Sequence, residues 1–141
     1  MEKNKSRFLK NDDGTIYDSV TSLTWLANDS LLDLGKDISW DEGEAYAKST
    51  NDKKFAGHSD WRFPSIHEAT SLFDKSKLNK DHKGGDINID SVFPPGMANC
   101  TWTSETRGKE AQIIFYVNGL PYWYRKDDKT ISHALRLVRR D

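Results

Sequence analysis

Short apolar runs alternate with turn residues over the first third of the chain, a pattern typical of antiparallel strands. The turn sequence Asn-Asp-Asp-Gly at 11–14 separates two such runs, 7–9 and 15–17, and Asp-Gly tolerates the positive φ of a tight hairpin. A second turn at 21–22 leads into Leu-Thr-Trp-Leu at 23–26, which is rich in β-forming residues. The pattern therefore predicts three short strands joined by tight turns.

Two capping boxes, in which a serine stands three residues before a glutamate, mark the starts of two helices. The first joins Ser39 to Glu42 and predicts a helix that runs to about Thr50. The second joins Ser65 to Glu68 directly after a proline. Apolar residues at helical spacing give this second helix one buried face, made of Ile66, Ala69, Leu72 and Phe73.

The stretch 74–96 is polar and punctuated by glycine and proline, and it predicts a long mobile loop over 75–85. Asp86, Asn88 and Asp90 then have the spacing of a calcium-binding loop. However, serine and methionine stand at the two positions where that loop requires glycine and glutamate. Isoleucines alternate with the three polar residues, as they would in a strand. Calcium binding is left open, and we predict no metal ligand.

The last third of the chain has the pattern of a β-meander. Four strands are predicted, at 101–104, 111–117, 122–124 and 131–138. The second of these is apolar almost throughout, which suits a strand covered on both faces. Asn118-Gly119 follows it and is the strongest signal for a two-residue hairpin in the chain. Because two helices precede an antiparallel sheet, the predicted fold class is α+β.

The composition limits the classes of protein to which the chain can belong. It has 141 residues, and we predict a polar tail at 1–6 and a single domain over 7–141. Lys and Arg number 21 and Asp and Glu 22, and the resulting net charge of -1 argues against a nucleic-acid partner. No apolar run approaches the roughly 20 residues of a membrane span. Aromatic residues make up 11% of the chain, which indicates a folded domain.

Candidate catalytic groups are few. Cys100 is the one cysteine, so the chain forms no internal disulfide and no cysteine-based zinc site. His58 and Asp60 could form an acid–base pair, but no nucleophile motif accompanies them. The four histidines lack the spacing of metal ligands. We therefore predict a non-enzymatic protein with no cofactor.

Aromatic residues cluster around the predicted hairpin near the end of the chain. Strand alternation places Tyr122 and Tyr124 on one face and Trp123 on the other, so one face can be exposed. Rigid amphipathic aromatics are good recognition groups, although the same residues also fit sheet packing. The basic residues that follow either bind an acidic partner or, by their charge, keep an edge strand from pairing with other chains. The predicted partner-binding residues are Tyr116, Asn118, Tyr122, Tyr124, Arg125, Arg136 and Arg140.

The most informative motif is Gly-His-Ser-Asp-Trp-Arg-Phe-Pro-Ser at 57–65. Its Asp60 could pair with Arg62 or cap nearby backbone, either in a binding site or in a loop fixed by its tryptophan. The motif resembles the central block of the Lcl C-terminal domain family. Weaker matches precede it at 11–18, 23–25 and 40–47 and follow it at 92–94, 101–104 and 135–139, in the family's order. The signature residues of this resemblance are Asp60, Trp61, Arg62, Pro64 and Trp102.

The resemblance spans about Phe8 to Arg139 and implies a C-type-lectin-like fold. In that fold two helices would pack on an antiparallel sheet, with the chain ends paired. The resemblance also implies a non-enzymatic binding module. In the collagen-like adhesin that gives the family its name, the domain binds sulfated polysaccharides and trimerises.

These observations together predict a small stand-alone recognition module that binds a protein partner. A sulfated or acidic glycan is the alternative ligand, and self-association is another use of the same hairpin. No nucleic acid or membrane is expected as a partner. The charged start of the chain lacks the apolar segment of a signal peptide. We expect a cytoplasmic protein if Met1 is native, and an extracellular one if a signal peptide has been removed.

Overall fold

The computed structural model describes residues 6–129 and 133–140, and over these residues the chain forms nine strands and three α-helices. The strands are β1 (Phe8–Lys10), β2 (Thr15–Asp18), β3 (Leu23–Leu26), β4 (Asn79–Lys80), β5 (Asp86–Ile87), β6 (Cys100–Arg107), β7 (Glu110–Phe115), β8 (Pro121–Arg125) and β9 (Val138–Arg140). The helices are α1 (Ser30–Leu34), α2 (Trp40–Asp52) and α3 (Ile66–Thr70), and a short 3-10 helix covers Phe55–Gly57. The strands form three antiparallel sheets, which confirms the α+β class. Of the predicted polar tail, residues 1–5 lie outside the described residues and Ser6 is exposed.

The first sheet brings together strands from both ends of the domain, in the order β1-β2-β3-β9. Trp25 in β3 lies opposite Ile16 in β2 and Val138 in β9, and all three side chains are fully buried. The first hairpin turns at Gly14 with a φ of 87°, as its Asp-Gly sequence predicts. Strands from both ends of the chain therefore share one sheet, although β9 pairs with β3 and not with β1. The C-type-lectin-like fold itself stays a prediction.

The C-terminal strand is shorter than predicted, because residues 133–137 bond to several elements instead of to one neighbouring strand. Residues 131 and 132 of the predicted strand lie outside the described residues, and β9 begins only at Val138. The carbonyls of residues 133, 134, 135 and 137 accept hydrogen bonds of 2.9–3.1 Å from the N–H groups of Ile38, Trp102, Ser30 and Leu26. This segment therefore crosses the interior of the domain instead of forming a fourth meander strand.

The sheet β6-β7-β8 separates two clusters of buried apolar side chains. Neighbouring residues of β7 point to opposite faces, so Ile113 packs with Trp102 while Ile114 packs with Trp25. Both isoleucines are fully buried. The prediction that this apolar strand is covered on both faces is therefore confirmed.

Both predicted helices begin at their capping boxes. In α2, the Ser39 hydroxyl accepts from the Glu42 N–H at 3.1 Å and the Glu42 carboxylate accepts from the Ser39 N–H at 3.0 Å. The Ser65–Glu68 pair makes the same two bonds in α3. The five-residue α1 was not predicted, since it is too short for a hydrophobic period; Asp29 caps its first turn.

The segment 75–85 is not the long loop that the sequence predicts, because one buried polar residue fastens it to the domain and a second closes a tight turn within it. The Asn79 amide donates to the Phe93 carbonyl at 2.8 Å, and the Asp81 carboxylate accepts the Gly85 N–H at 2.8 Å. The short strands β4 and β5 pair across this turn. Ile87, Ile89 and Phe93 are fully buried beyond it, as predicted.

The three residues with calcium-loop spacing make separate contacts. Asp86 pairs with Lys80, the Asn88 amide donates to a backbone carbonyl at 2.9 Å, and Asp90 accepts the Val92 N–H at 2.8 Å. Within 6–129 and 133–140 no three His, Cys, Asp or Glu side chains come together as metal ligands. In the same ranges, no helix has the length and apolar character of a membrane span.

Candidate functional site

The β7–β8 hairpin carries the exposed part of the predicted site. Its loop is longer than the predicted two-residue turn, because the Phe115 N–H donates to the Leu120 carbonyl at 3.1 Å and residues 116–119 form the connection. The Asn118 side chain accepts from the Leu120 N–H at 3.0 Å and fixes the turn. Gly119 adopts a φ of 72°, and a Cβ at this position would lie only 2.7 Å from the Phe73 ring.

Three large apolar side chains are exposed around this loop. Val117 is 47%, Leu120 51% and Tyr122 43% exposed. We call these three residues and Asn118 the hairpin tip. Exposed apolar side chains at neighbouring positions commonly mark an interaction site. The sequence prediction missed Val117 and Leu120, although apolar residues beside a turn, where polar ones are usual, were a usable signal.

Strand β8 alternates its aromatic residues as predicted. The Phe115 ring lies 5.5 Å from Tyr122 and 6.2 Å from Tyr124, which places both tyrosines on the same face. Tyr124 is half-buried, and its ring also packs 4.9 Å from His133. On the other face, the Arg107 guanidinium stacks on Trp123 at 4.2 Å. Tyr122 is therefore the more accessible of the two tyrosines.

Two predicted binding residues are buried, and their assignment to an exposed surface was wrong. Tyr116 is 2% exposed because it packs in the same core cluster as Ile114, and its hydroxyl donates to the Ala69 carbonyl at 3.0 Å. Burial raises the pKa of this hydroxyl. Arg136 is also 2% exposed and lies between the two core clusters.

The Arg136 guanidinium holds together backbone from distant parts of the domain. It donates to the carbonyls of Leu26, at 2.9 Å, and Ala27, and it stacks on the Phe93 ring at 4.7 Å. Burial lowers the pKa of this guanidinium, while the nearby charge of Asp29 acts in the opposite direction. Arg136 therefore has a structural role in the interior.

Four of the basic residues near the C-terminus are paired with carboxylates. Arg125 contacts Asp127 at 3.0 Å and lies at the far end of β8 from the hairpin tip. Arg140 belongs to the first sheet and contacts Glu68 at 3.6 Å. Lys129 and Arg139 contact Glu42 and Asp60 at 3.1 and 2.7 Å. The expected basic strand face is therefore a set of separate ion pairs.

The signature motif fixes a loop against the first sheet. Asp60 pairs with Arg139 in β9 and not with Arg62, which instead forms two hydrogen bonds to the Glu68 carboxylate, at 2.8 and 3.0 Å. The Arg62 hydrogen bonds are the main cause that lowers the pKa of Glu68. Trp61 is buried, and its indole N–H donates to the Phe55 carbonyl at 3.0 Å.

The other signature residues also make structural contacts. The Pro64 carbonyl accepts from the Ser104 N–H at 2.8 Å, and the buried Trp102 indole donates to the Ile38 carbonyl at 3.1 Å. His58 packs edge-on to the Trp61 ring at 6.3 Å, while the Asp60 carboxylate is directed to Arg139. These contacts support the interpretation of a loop fixed by its tryptophan.

Fold and site together define an α+β domain with an exposed hairpin tip on one of its sheets. The model of the Lcl C-terminal domain family matches residues 14–139, and the chain belongs to this family. Membership suggests an adhesin-like binding module. The comparisons with curated proteins and with solved structures find no match.

Proposed function

We propose that this domain is a recognition module that binds a protein partner through the hairpin tip. The observation that carries the proposal is the grouping of Val117, Leu120 and Tyr122, each more than two-fifths exposed, around one loop. Apolar and aromatic anchors surrounded by polar groups are typical of the centre of a protein interface. Asn118 supplies the polar group, since its amide nitrogen lies 3.5 Å from the Tyr122 hydroxyl.

A protein partner fits this surface better than an acidic glycan. A sulfated glycan would bind through cations, but of the basic residues near the C-terminus Arg125, Lys129, Arg139 and Arg140 contact carboxylates and Arg136 is buried. Lys126 lies over the Trp40 ring instead. The glycan would have to displace these carboxylates before it gained a contact. The hairpin tip offers apolar area instead, which favours a protein.

The proposed module is non-enzymatic. Burial raises the pKa of the Cys100 thiol and keeps it protonated, so it is a poor nucleophile. The Asp60 carboxylate accepts two hydrogen bonds from Arg139, which lower its pKa and make it a weak base. The groups that could have supplied chemistry are therefore engaged in structure.

The test compares a hairpin-tip variant, Val117→Ser with Leu120→Ser, with a control variant, Val20→Ser. Val20 is 70% exposed and lies in the turn between β2 and β3, so the control removes apolar area away from the tip. Tagged wild-type and variant domains capture proteins from lysate of the source cells, and quantitative mass spectrometry compares the captured proteins.

We expect a protein that wild type and control enrich equally and that the tip variant loses by roughly tenfold or more. Equal capture by the tip variant would place the binding surface elsewhere and overturn the proposal. Salt-sensitive binding to an acidic-glycan array that the tip variant retains would overturn it in favour of the glycan. Circular dichroism of all three domains establishes that they are folded alike.

A further inference from the structure

We propose that two copies of this chain pair through the outer edges of their β8 strands, antiparallel, with a twofold axis at Trp123. The partner on this edge is thus a second copy of the chain. The inference does not rest on the proposed function, because it uses the backbone of residues 121–125. Of the hairpin tip, only Tyr122 lies in the new contact, and Val117 and Leu120 stay outside it.

The outer edge of β8 is unpaired within the described part of the chain, since the sheet order is β6-β7-β8. The opposite edge of this sheet is covered, because the N–H groups of Trp102 and Ser104 in β6 donate to Ala134 and Pro64. An unpaired edge presents a row of backbone donors and acceptors to another strand. Strand β8 therefore offers five residues for pairing.

The backbone hydrogen bonds at its two ends fix which groups of β8 point outward. The Leu120 carbonyl accepts from Phe115, and the Lys126 N–H donates to Lys109, so even-numbered residues direct their polar groups toward β7. Because these directions alternate along an antiparallel strand, Pro121, Trp123 and Arg125 direct theirs outward. These three residues are the ones that a second strand would meet.

The outward backbone N–H and C=O groups of β8 match the same groups of a second β8 strand. Proline has no N–H, and the Arg125 carbonyl already accepts the Asp128 N–H at 3.0 Å. An axis at Trp123 sets Pro121 opposite Arg125 of the second copy. Pro121 cannot donate a hydrogen bond to the Arg125 carbonyl, but that carbonyl already has its donor. The remaining groups form four bonds: two between the Trp123 residues, and two from Arg125 N–H groups to Pro121 carbonyls. Every outward N–H of the strand then has an acceptor.

Other registers fit less well. Moving the axis to the midpoint of Trp123 and Arg125 would direct the Trp123 N–H at the Arg125 carbonyl, which the Asp128 N–H occupies. It would also set Pro121 beyond the end of the facing strand. Two of the four hydrogen bonds would be lost or weakened, so the register centred on Trp123 is preferred.

The side chains agree with the same register. Tyr122 lies opposite Tyr124 of the second copy on the Phe115 face, and such aromatic cross-strand pairs stabilise a sheet. On the other face each Trp123 meets its counterpart, with Arg107 stacked on its ring. No two cations face each other, because Arg125 is opposite proline and is paired with Asp127 in its own chain.

The first test is disulfide crosslinking at the residue on the twofold axis. In an antiparallel pair, a residue on the axis lies about 5.5 Å from its own copy between Cα atoms, which a disulfide can span. Trp123→Cys is therefore expected to give a covalent dimer under mild oxidation. Pro121→Cys is the matched control, since its copies would lie about 13 Å apart and stay unlinked. Cys100 is buried and does not compete.

Mixing Pro121→Cys with Arg125→Cys is expected to restore the crosslink, because these residues face each other. Crosslinking of Pro121→Cys as fast as Trp123→Cys would overturn the proposal. So would the absence of a crosslink in Trp123→Cys at concentrations where sedimentation detects dimer.

The second test places charged residues on the twofold axis. Trp123→Lys and Trp123→Glu each place like charges on the axis, so each variant is expected to sediment as a monomer. Their mixture places opposite charges there and is expected to regain the dimer. A wild-type monomer up to about millimolar concentration, where even weak association is populated, would overturn the proposal. Loss of the dimer with retained capture of a protein by the hairpin tip would separate this outcome from that of the proposed function.

Discussion

The Asp60 carboxylate accepts hydrogen bonds from Arg139 at 2.7 Å from Nε and 3.3 Å from Nη2, although the two residues stand 79 positions apart. Arg139 lies in β9 and Asp60 in the signature motif, so the pair joins the centre of the chain to its last strand. The backbones of Arg62 and Val138 exchange two hydrogen bonds beside it, at 2.9 and 3.0 Å. The motif is thus an attachment point for the C-terminal strand.

Substitutions in this motif are expected to affect stability in proportion to burial. Asp60→Asn should lower the free energy of unfolding by less than about 1 kcal/mol, because the carboxylate is largely exposed and screened by salt. Trp61→Ala should lower it by roughly 3–5 kcal/mol, because a buried indole is lost. Urea unfolding of the two variants measures both values. A larger loss from Asp60→Asn than from Trp61→Ala would contradict this assignment.

Arg136 is expected to be among the residues on which stability depends most. Arg136→Met keeps an unbranched side chain of similar length but leaves the Leu26 and Ala27 carbonyls without their donor, with an expected loss of roughly 3 kcal/mol. Arg140→Met is the control, since Arg140 is exposed and should change stability by less than about 0.5 kcal/mol. Equal urea midpoints for the two variants would show that the buried guanidinium contributes little.

The burial of Arg136 could not be predicted from its neighbours. Leu135 and Leu137 flank Arg136 in the alternating pattern of a half-exposed strand, which places the arginine in solvent. The groups that bind Arg136 are about 110 residues away in the sequence and become neighbours only when β3 and the 133–137 segment meet. Local periodicity carries no information on such a contact.

Features that depend on adjacent residues were predicted well. The capping boxes at Ser39 and Ser65 and the alternation of Tyr122, Trp123 and Tyr124 follow from backbone geometry over a few residues, and the structure confirms them. The length of the β7–β8 loop was not predictable in this way. Its Gly119 lies against Phe73, a residue far away in the sequence, and such a contact leaves no signal in the residues beside the turn.

Gly119→Ala is expected to destabilise the hairpin for two separable reasons. A Cβ at this position would lie 2.7 Å from the Phe73 ring, and the φ of 72° disfavours any residue with a side chain. We expect a loss of roughly 2–4 kcal/mol, the sum of backbone strain and overpacking. Thermal unfolding measures it.

Gly108→Ala separates the two causes. Gly108 also has a positive φ, of 56°, but open space surrounds its Cβ position. This variant should lose only the backbone contribution of about 1 kcal/mol. If both glycine variants lost the same stability, the Phe73 contact would be unimportant.

The Arg7–Asp18 pair is expected to make stability fall in acid. The Asp18 side chain is fully buried and accepts hydrogen bonds from Arg7 at 2.8 and 2.7 Å. Burial alone would raise the pKa of Asp18, but the hydrogen bonds from Arg7, Thr21 and the Val20 N–H outweigh it and leave the pKa below its ordinary value. The folded state therefore releases this proton more readily than the unfolded chain does.

The contribution of Asp18 is therefore fully present above the unfolded pKa of about 4 and is lost as the pH falls through the lower folded pKa. Asp18→Asn should lower the free energy of unfolding by roughly 2 kcal/mol at neutral pH and by less in acid. Urea unfolding between about pH 2 and 7 measures the difference between wild type and variant. Asp52→Asn, at an exposed ion pair, is the control and should leave the pH profile nearly unchanged. A wild-type–variant difference that stays constant over this range would show that Asp18 does not titrate with a lowered pKa.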